Sequence, residues 1–316
     1  MARRRKGREV DGILLLDKPA GISSNQALQR VKHLFGAAKA GHTGALDPLA
    51  TGLLPICLGE ATKFSQYLLD ADKVYRTTAK LGVRTASGDA DGEVIEERPV
   101  ETYSAAQIEA LLAEHLSGEI TQTPSMYSAL KHQGQPLYKL ARKGIEVEVK
   151  SRRVTVHRIE LLDFRGDELD LEVSCSKGTY IRSIVEALGE LLGCGAHVTV
   201  LRRLETGPYK ASMMHTLEAL RECAAAGEAQ AEKEGAQRAL DALLLPAWTA
   251  VETLPRLWVD ESVCERLKNG QRIPLGESPR AETLIFSGTE EAPVFLGIGE
   301  VSEAGVLLPR RLIRTQ

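Results

Sequence analysis

The sequence predicts an α+β protein: a mixed, mainly antiparallel sheet with flanking helices, followed by a small, mostly-β domain. Strand and helix patterns follow one another without the strict alternation that a parallel doubly wound sheet requires. Near residue 250 the pattern changes to short strand candidates around one short helical segment. We therefore expect two domains, residues 1–250 and residues 251–316.

The first expected elements are a buried strand and a helix. Gly12 to Leu16 is an apolar run, and Ser23 or Ser24 can cap a helix with apolar residues at helical spacing as far as Phe35. The residues between them, Asp17 to Gly21, have turn composition.

The middle of the chain mixes strand and helix patterns. Val74 to Val83 has strand character, and Gly88 to Gly92 is typical of a hairpin turn. Ser104 with Gln107 forms a capping box, which predicts a helix through Leu116. The later elements are strands at 154–162 and 169–175 and an amphipathic helix at 179–192.

The last part begins with an alanine- and glutamate-rich stretch, Leu217 to Leu245, which predicts one or two helices before Pro246. The expected C-terminal elements are strands at 256–259, 283–286, 294–299 and 306–308 and a helix near 262–268. Residues 1–8 and 223–242 carry no function that the sequence identifies.

Composition excludes several classes of protein. The five cysteines contain no C-x-x-C pair, which favours reduced thiols over a disulfide framework or a zinc site. The basic N-terminus lacks the apolar region of a signal peptide, and no window approaches about 18 unbroken apolar residues. We expect a cytoplasmic protein with no metal and no membrane association.

Charge is segregated along the chain, although the net charge is only -3. Residues 131–158 contain eight basic residues against two acidic ones, and five further basic residues lie within residues 1–8. This distribution fits a basic face for phosphates on an otherwise acidic protein. A solvated charged surface explains each cluster equally well when it is taken alone.

The segment from Gly41 to Gly52, GHTGALDPLATG, places one carboxylate between glycine-rich turns. Pro48 biases Asp47 toward an extended conformation, and the glycines permit backbone geometries that other residues resist. A tight surface turn with an incidental acid is the alternative. No second carboxylate has comparable surroundings, no calcium loop is complete, and no Walker A lysine follows. A reaction at Asp47 without metal or nucleotide remains, provided that a cation keeps the acid ionised.

Several blocks, in order, resemble the bacterial tRNA pseudouridine-55 synthase family, TruB. They are LLLDKPAGISSNQAL at 14–28, GHTGALDPLATGLLP at 41–55, GEATKFSQYLLDADKVYR at 59–76, PSMYSALKHQG at 124–134, SKGTYIRSI at 176–184 and GCGAHVTVLRRL at 193–204. A weaker match, FLGIGEV at 295–301 with LLPRRLI at 307–313, resembles the family's PUA-like RNA-binding domain. The resemblance implies a pseudouridine synthase fold that isomerises the uridine at position 55 in the TΨC arm of tRNA. It implies no cofactor and no obligate protein partner.

The resemblance also implies roles for individual residues. Asp47 matches the catalytic aspartate, Arg182 the arginine that pairs with it, and Tyr75 a tyrosine that stacks on the target base. Tyr180 and Leu201 match positions that line the base pocket. In the family, a histidine at the position of His42 helps to extrude the target nucleotide, because a stacked base cannot meet a buried acid until it is flipped out.

The basic segment gains an interpretation from the same resemblance. In the family, the region corresponding to residues 124–150 is a loop that clamps the RNA, so Lys131, Arg142 and Lys143 are expected to contact phosphates. Lys18 and Lys63 lie in matching blocks and are expected to do the same. Two alternatives stay open: a tRNA-binding or tRNA-folding module without catalysis, and a nucleoside hydrolase that releases uracil.

Overall fold

A computed structural model describes residues 7–314, except for the side chains of residues 227–234. The strands of this part are β1 Gly12–Lys18, β2 Ala40–His42, β3 Thr51–Leu58, β4 Lys73–Leu81, β5 Val83–Thr85, β6 Val94–Glu97, β7 Gly118–Gln122, β8 Lys131–His132, β9 Gln135–Pro136, β10 Arg152–Arg165, β11 Glu168–Cys175, β12 Ala196–Thr206, β13 Tyr209–Lys210, β14 His215–Thr216, β15 Arg256–Trp258, β16 Ile273–Pro274, β17 Arg280–Gly288, β18 Pro293–Val301 and β19 Val306–Leu312. The helices are α1 Ser24–Leu34, α2 Ser65–Asp70, α3 Ala105–His115, α4 Leu137–Ala141, α5 Ile181–Leu191, α6 Leu217–Asp241 and α7 Glu261–Lys268.

The large sheet has the strand order β14-β1-β3-β12-β4-β11-β10-β7, with β2 beside β3 and β13 beside β12. The pairs β1–β14 and β3–β12 are parallel, whereas the other neighbours are antiparallel. A second sheet has the order β15-β17-β18-β19-β16. The predicted α+β class, with a mainly antiparallel sheet followed by a mostly-β part, is therefore confirmed.

Two predicted helix starts are confirmed in atomic detail. Ser23 caps α1, because its side chain accepts from the backbone of Gln26 in a full capping box, and Ser104 caps α3 in the same way with Gln107. Helix α5 turns its apolar residues into the core, as its periodicity predicts. The Ala/Glu-rich stretch forms one helix, α6.

Strand β1 explains how the two sheets pack together. Leu14 and Leu16 face the core cluster that includes α1 and α5, whereas Ile13 and Leu15 face a cluster shared with the second sheet. Phe64 of the first part packs on Phe295 of β18, with ring centroids 5.4 Å apart. Both faces of β1 are buried, which is why its sequence is apolar without alternation.

The predicted strand at 74–83 is divided in the structure. Gly82, with φ +85°, separates β4 from β5, and β5 leaves the sheet to pair with β6. Strands β3 and β12, both central in the sheet, were not predicted. None of the helices in residues 7–314 has the length and apolarity to cross a bilayer.

Candidate active site

The loop between β2 and β3 carries Asp47, and two of its glycines are required by geometry. Gly44 and Gly52 have φ of +82° and +98°. A Cβ at Gly52 would lie 2.3 Å from the backbone oxygen of Arg203, so only glycine lets β3 approach β12 there. Gly41 has open space around it.

The Asp47 loop is held from several sides. The Ser24 hydroxyl accepts from the Leu46 backbone nitrogen at 2.7 Å and donates to the Leu46 oxygen at 3.0 Å. The Arg203 side chain, only 1% exposed, donates to the oxygens of Gly44 at 3.0 Å and Leu53 at 2.6 Å. These bonds fix the backbone on both sides of the acid, which is the preorganisation that catalysis requires.

Arg182 of α5 lies beneath Asp47. Its Nη2 is 3.1 Å from the Asp47 Oδ2 atom and donates to the Tyr127 backbone oxygen at 3.0 Å, while its Nη1 donates to the Ser87 backbone oxygen at 2.6 Å. The Arg182 side chain is 4% exposed and that of Asp47 is 38% exposed. The structure thus brings together the acid and the cation that the sequence proposed as partners.

A second carboxylate, which sequence reasoning missed, shares the same guanidinium. The Asp89 Oδ2 atom is 3.4 Å from Arg182 Nη1, and the Asp89 side chain is 7% exposed. Its Oδ1 atom accepts from the Ser87 hydroxyl at 2.5 Å and from the Asp91 backbone at 3.2 Å. The turn at 88–92 was interpreted only as a hairpin connection, but it also delivers a buried acid to the site. Two aspartates within one glycine-flanked turn were the available signal.

Burial raises the pKa of Asp47 above its ordinary value, and Arg182 opposes this rise. The nearby Asp89 charge pushes the pKa of Asp47 further up. The arginine therefore offsets only part of the desolvation penalty, and Asp47 is held as a more basic carboxylate than an exposed aspartate. Such a group is a better nucleophile or base once it is ionised.

A cavity of about 380 Å³ opens beside Asp47 and is lined by five of the six residues predicted for catalysis and base binding. They are Asp47, Tyr75, Tyr180, Arg182 and Leu201. Tyr75 lies on β4 opposite Arg203 of β12, and burial raises the pKa of the Tyr75 phenol. The phenol is therefore neutral at physiological pH and can donate a proton in a hydrogen bond.

Tyr180 is fixed at the start of α5 by its backbone. The Gln122 side chain accepts from the Tyr180 nitrogen at 3.0 Å and donates to its oxygen at 3.1 Å. Leu201 on β12 is 7% exposed. An aromatic ring and an aliphatic side chain thus give the cavity the apolar walls that a flat base needs.

His42 lies on β2 and does not line the cavity. Its Nδ1 atom is buried without a hydrogen-bond partner, and burial, followed by the Arg203 charge, lowers the pKa of His42. The imidazole is therefore neutral near pH 7.

Lys18 and Lys63 are not placed as free phosphate contacts. Lys18 is 0% exposed, and its ammonium donates to the oxygens of Pro19 at 2.9 Å, Ile22 at 2.7 Å and Pro48 at 3.4 Å. Lys63 pairs with Glu60 at 2.5 Å and donates to the Leu312 oxygen at 2.7 Å. Lys18 therefore supports the Asp47 loop, and Lys63 joins the two sheets. Both ammonium groups are thus occupied by protein oxygens in this structure, and the expectation that they meet RNA stays a prediction.

Lys131, Arg142 and Lys143 are exposed on the segment that contains β8, β9 and α4. Within residues 7–314 none of them forms an ion pair with an acid. Arg142 lies over the Tyr138 ring at 5.6 Å. The segment reaches the site itself, because Tyr127 accepts from Arg182 and Ala129 and Leu130 line the cavity. Of the basic N-terminal residues, Arg8 pairs with Asp241, and residues 1–6 lie outside the described part.

No group of three His, Cys, Asp or Glu side chains in the described residues has the arrangement of a metal site. The cavity itself brings together an acid, cations and two tyrosines.

Comparison with known proteins identifies the class of this fold and site. Residues 32–181 match the model of the TruB family pseudouridylate synthase N-terminal domain. Residues 182–252 match the tRNA pseudouridylate synthase B C-terminal domain, and residues 255–313 match the pseudouridine synthase II TruB C-terminal model. These matches define a pseudouridylate synthase.

Full-length relatives narrow the assignment. A tRNA pseudouridine synthase B of Vibrio cholerae is 54% identical over 99% of both chains, and one of a Shewanella species is 55% identical over 99% of this chain and 97% of its own. The protein belongs to the TruB family of pseudouridylate synthases.

Solved structures agree with this fold. A chain in the crystal structure of a Cbf5-Nop10-Gar1 complex is 27% identical with a TM-score of 0.69, covering 93% of this chain and 79% of that one. A chain of an H/ACA RNP bound to a substrate RNA containing 2'-deoxyuridine has a TM-score of 0.71 at 23% identity, covering 99% and 92%. The second likeness concerns the fold alone.

Proposed function

We propose that the protein isomerises the uridine at position 55 in the TΨC arm of tRNA to pseudouridine. The observation that carries the proposal is the Asp47–Arg182 pair: a carboxylate exposed to a cavity of about 380 Å³ and held by a buried guanidinium. Relatives more than half identical over the whole chain are named tRNA pseudouridine synthase B, which supports tRNA as the substrate.

In this proposal the target nucleotide leaves its stack and enters the cavity between Tyr75, Tyr180 and Leu201. Ionised Asp47 then acts on the nucleoside, the N1–C1′ bond breaks, and uracil rotates. A C5–C1′ bond replaces the broken one, the C5 hydrogen leaves as a proton, and N1 gains a proton, so the product is an isomer of the substrate. The balance of the reaction needs no oxidant, water or cofactor.

The neutral Tyr75 phenol faces the same cavity as Asp47, so it can stack on the base and assist proton transfer. We propose that His42 fills the space that the flipped base vacates. Lys131, Arg142 and Lys143 position the RNA through its phosphates without reading bases.

We extend the proposal to the domains, the cellular location and the partners of the protein. Residues 1–250 form the catalytic domain, with residues 124–150 as the RNA clamp, and residues 251–316 form a PUA-like RNA-binding domain. The protein acts in the cytoplasm and needs no protein partner. Conversion of tRNA by the purified chain alone tests the last point.

One assay separates the candidate functions. Unmodified tRNA that carries tritium at uridine C5 is incubated with the purified protein. Tritium release without chain cleavage or free base supports the isomerase, and mapping the modified nucleotide to position 55 supports the site. Free uracil would instead indicate a hydrolase, and binding without tritium release would indicate a folding module.

A further inference from the structure

Arg152 lines the same cavity as Asp47, and no role has been given to it above. It is the first residue of β10, directly after the segment 124–150. Its guanidinium carbon lies 4.7 Å from the centroid of the Tyr180 ring, and its Nη2 donates to the Gly178 oxygen. The guanidinium is therefore held at the wall of the cavity before any substrate arrives.

Gly178 lies directly against the Arg152 guanidinium. Its φ is +79°, and a Cβ at this position would touch the Arg152 guanidinium at 3.4 Å. The cation is thus packed between the glycine backbone and the aromatic face, where stacking stabilises a planar guanidinium.

The hydrogen-bonding capacity of Arg152 is largely unused. A guanidinium has five N–H donors, but Nη2 to Gly178 is the one hydrogen bond that Arg152 makes within residues 7–314. Its Nε atom is buried without a partner, and no carboxylate of the described part lies within ion-pair distance. A buried donor without an acceptor is costly, so the site is complete only when an anion or another acceptor enters.

The neighbouring charges do not supply that anion. Asp47 is already paired with Arg182, whose other carboxylate is Asp89. The next residue on the strand, Arg153, shows the ordinary alternative: its side chain is 78% exposed and pairs with Glu119 at 3.2 Å. Successive residues of a strand face opposite sides, so one arginine faces the cavity and the other faces solvent.

We propose that Arg152 binds a backbone phosphate directly beside the flipped uridine, while Tyr180, on which it stacks, forms the wall for the base. This inference rests on the proposed function, because an RNA substrate brings phosphate as its anion. Arg152 would couple the position of the backbone to that of the base through one aromatic ring. It is a substrate-binding residue, and its guanidinium is not needed for the chemical step itself.

The test uses a tRNA stem-loop in which one linkage, either 5′ or 3′ of the target uridine, is a neutral methylphosphonate. Dissociation constants are measured for wild type, Arg152→Gln and the matched control Arg153→Gln, which removes an equal charge from the adjacent residue. At one of the two positions, the neutral linkage should weaken RNA binding by wild type and by Arg153→Gln about 10-fold or more. This is the loss expected when a charge-assisted hydrogen bond is removed. Arg152→Gln should bind the natural RNA equally weakly and lose nothing further at that linkage.

Two results would overturn the inference. Either neither neutral linkage weakens wild-type binding, a measurement that depends on no variant, or the losses from Arg152→Gln and from the linkage multiply. Arg152→Lys, which keeps the charge and loses the planar fork, should bind with intermediate strength. Tritium release by wild type with natural RNA is scored separately, so a failed phosphate contact is distinguishable from a failed isomerase.

Discussion

The Arg182 guanidinium lies 3.1 Å from the Asp47 carboxylate, and although both line the cavity, the Asp47 side chain is 38% exposed and that of Arg182 only 4%. The arginine is anchored from behind by Asp89 and by two backbone oxygens, so it cannot follow Asp47 toward solvent. One buried cation thus balances two acids, of which one is available for chemistry and the other is not. Removing either acid should change the behaviour of the other.

Replacing Asp47, the proposed catalytic acid, should separate catalysis from both binding and stability. Asp47→Asn keeps the shape of the side chain but cannot attack or ionise, so we expect no tritium release while tRNA still binds. Because burial raises the pKa of Asp47, ionised Asp47 opposes folding. The variant should therefore be more stable than wild type above the pKa of Asp47, and the difference should vanish in acid, where both side chains are neutral.

Equilibrium unfolding at several pH values and a filter-binding titration measure these effects. Substantial isomerisation by Asp47→Asn would rule out its catalytic role. Lower stability at neutral pH would show that the Arg182 pair outweighs the burial of Asp47.

Changing Asp89 should act through Arg182. Its negative charge raises the pKa of Asp47, so Asp89→Asn should lower that pKa and move the acidic limb of the kcat/KM profile to lower pH. We also expect kcat to fall by about 10²-fold, because the guanidinium loses an anchor and small misplacements near the reacting atoms are costly. The measurement is the pH profile of kcat/KM for wild type and for Asp89→Asn. The control is Asp163→Asn, which changes an exposed aspartate paired with Arg165. If the acidic limb of the kcat/KM profile lies at the same pH in Asp89→Asn as in wild type, Asp89 has no electrostatic effect on Asp47.

The parts of the fold that sequence reasoning found are those with local signals. Capping boxes at Ser23 and Ser104 mark helix starts because side chain and backbone satisfy each other within four residues. Strand β3 lacked such a signal, and Pro55 within it argues against a central strand. The structure accommodates Pro55 because β12 pairs with β3 only at Thr51 and Gly52, so β12 needs no donor from Pro55, and the Pro55 oxygen accepts from the Thr43 nitrogen at 3.1 Å.

In the site, too, sequence reasoning found the residues with local signals and missed those whose contacts form only in the folded chain. Glycine and proline around Asp47 marked its loop as a candidate site in the sequence, and the family resemblance supplied Arg182, Tyr75 and Tyr180. Asp89 was missed because its partner, Arg182, is 93 positions away in the sequence and lies beside it only in the folded protein. The burial of Lys18 was not foreseen because a lysine in a turn has the same sequence appearance whether its ammonium faces water or, as here, three carbonyl oxygens.

Removing the imidazole of His42 should slow base flipping. We expect His42→Ala to lower the single-turnover rate by about 10-fold or more, because nothing then occupies the place of the extruded base. Since burial lowers the pKa of His42, the wild-type rate should show no step near the ordinary histidine value. Rapid-quench kinetics with a fluorescent analogue beside the target would separate flipping from chemistry. An unchanged single-turnover rate would remove His42 from the mechanism.

Neutralising an exposed cation of the clamp segment should weaken binding mainly at low salt. For Lys143→Gln or Arg142→Gln, the slope of log K against log salt should decrease by about 0.7 to 0.9, as one phosphate contact is lost. The control is Arg158→Gln on β10, whose guanidinium is already paired with Glu160 and Glu172. If the slope of log K against log salt is the same for all the proteins, Lys143 and Arg142 are ordinary solvated surface residues and contact no phosphate.

Lys18→Met should have the opposite effects on the salt dependence of binding and on kcat. It tests whether Lys18 supports the Asp47 loop or contacts a phosphate. The side chain is fully buried, so its loss should leave the salt dependence of tRNA binding unchanged while kcat falls, because the Pro48 oxygen beside Asp47 loses a donor. Burial lowers the pKa of Lys18 to about 8, so the folded state releases this proton at lower pH than the unfolded chain. The wild type should therefore gain stability relative to the variant as the pH rises from about 8 toward the ordinary lysine pKa. Urea unfolding of both proteins across this range measures the difference; a reduced salt slope with unchanged kcat would instead restore Lys18 as a phosphate contact.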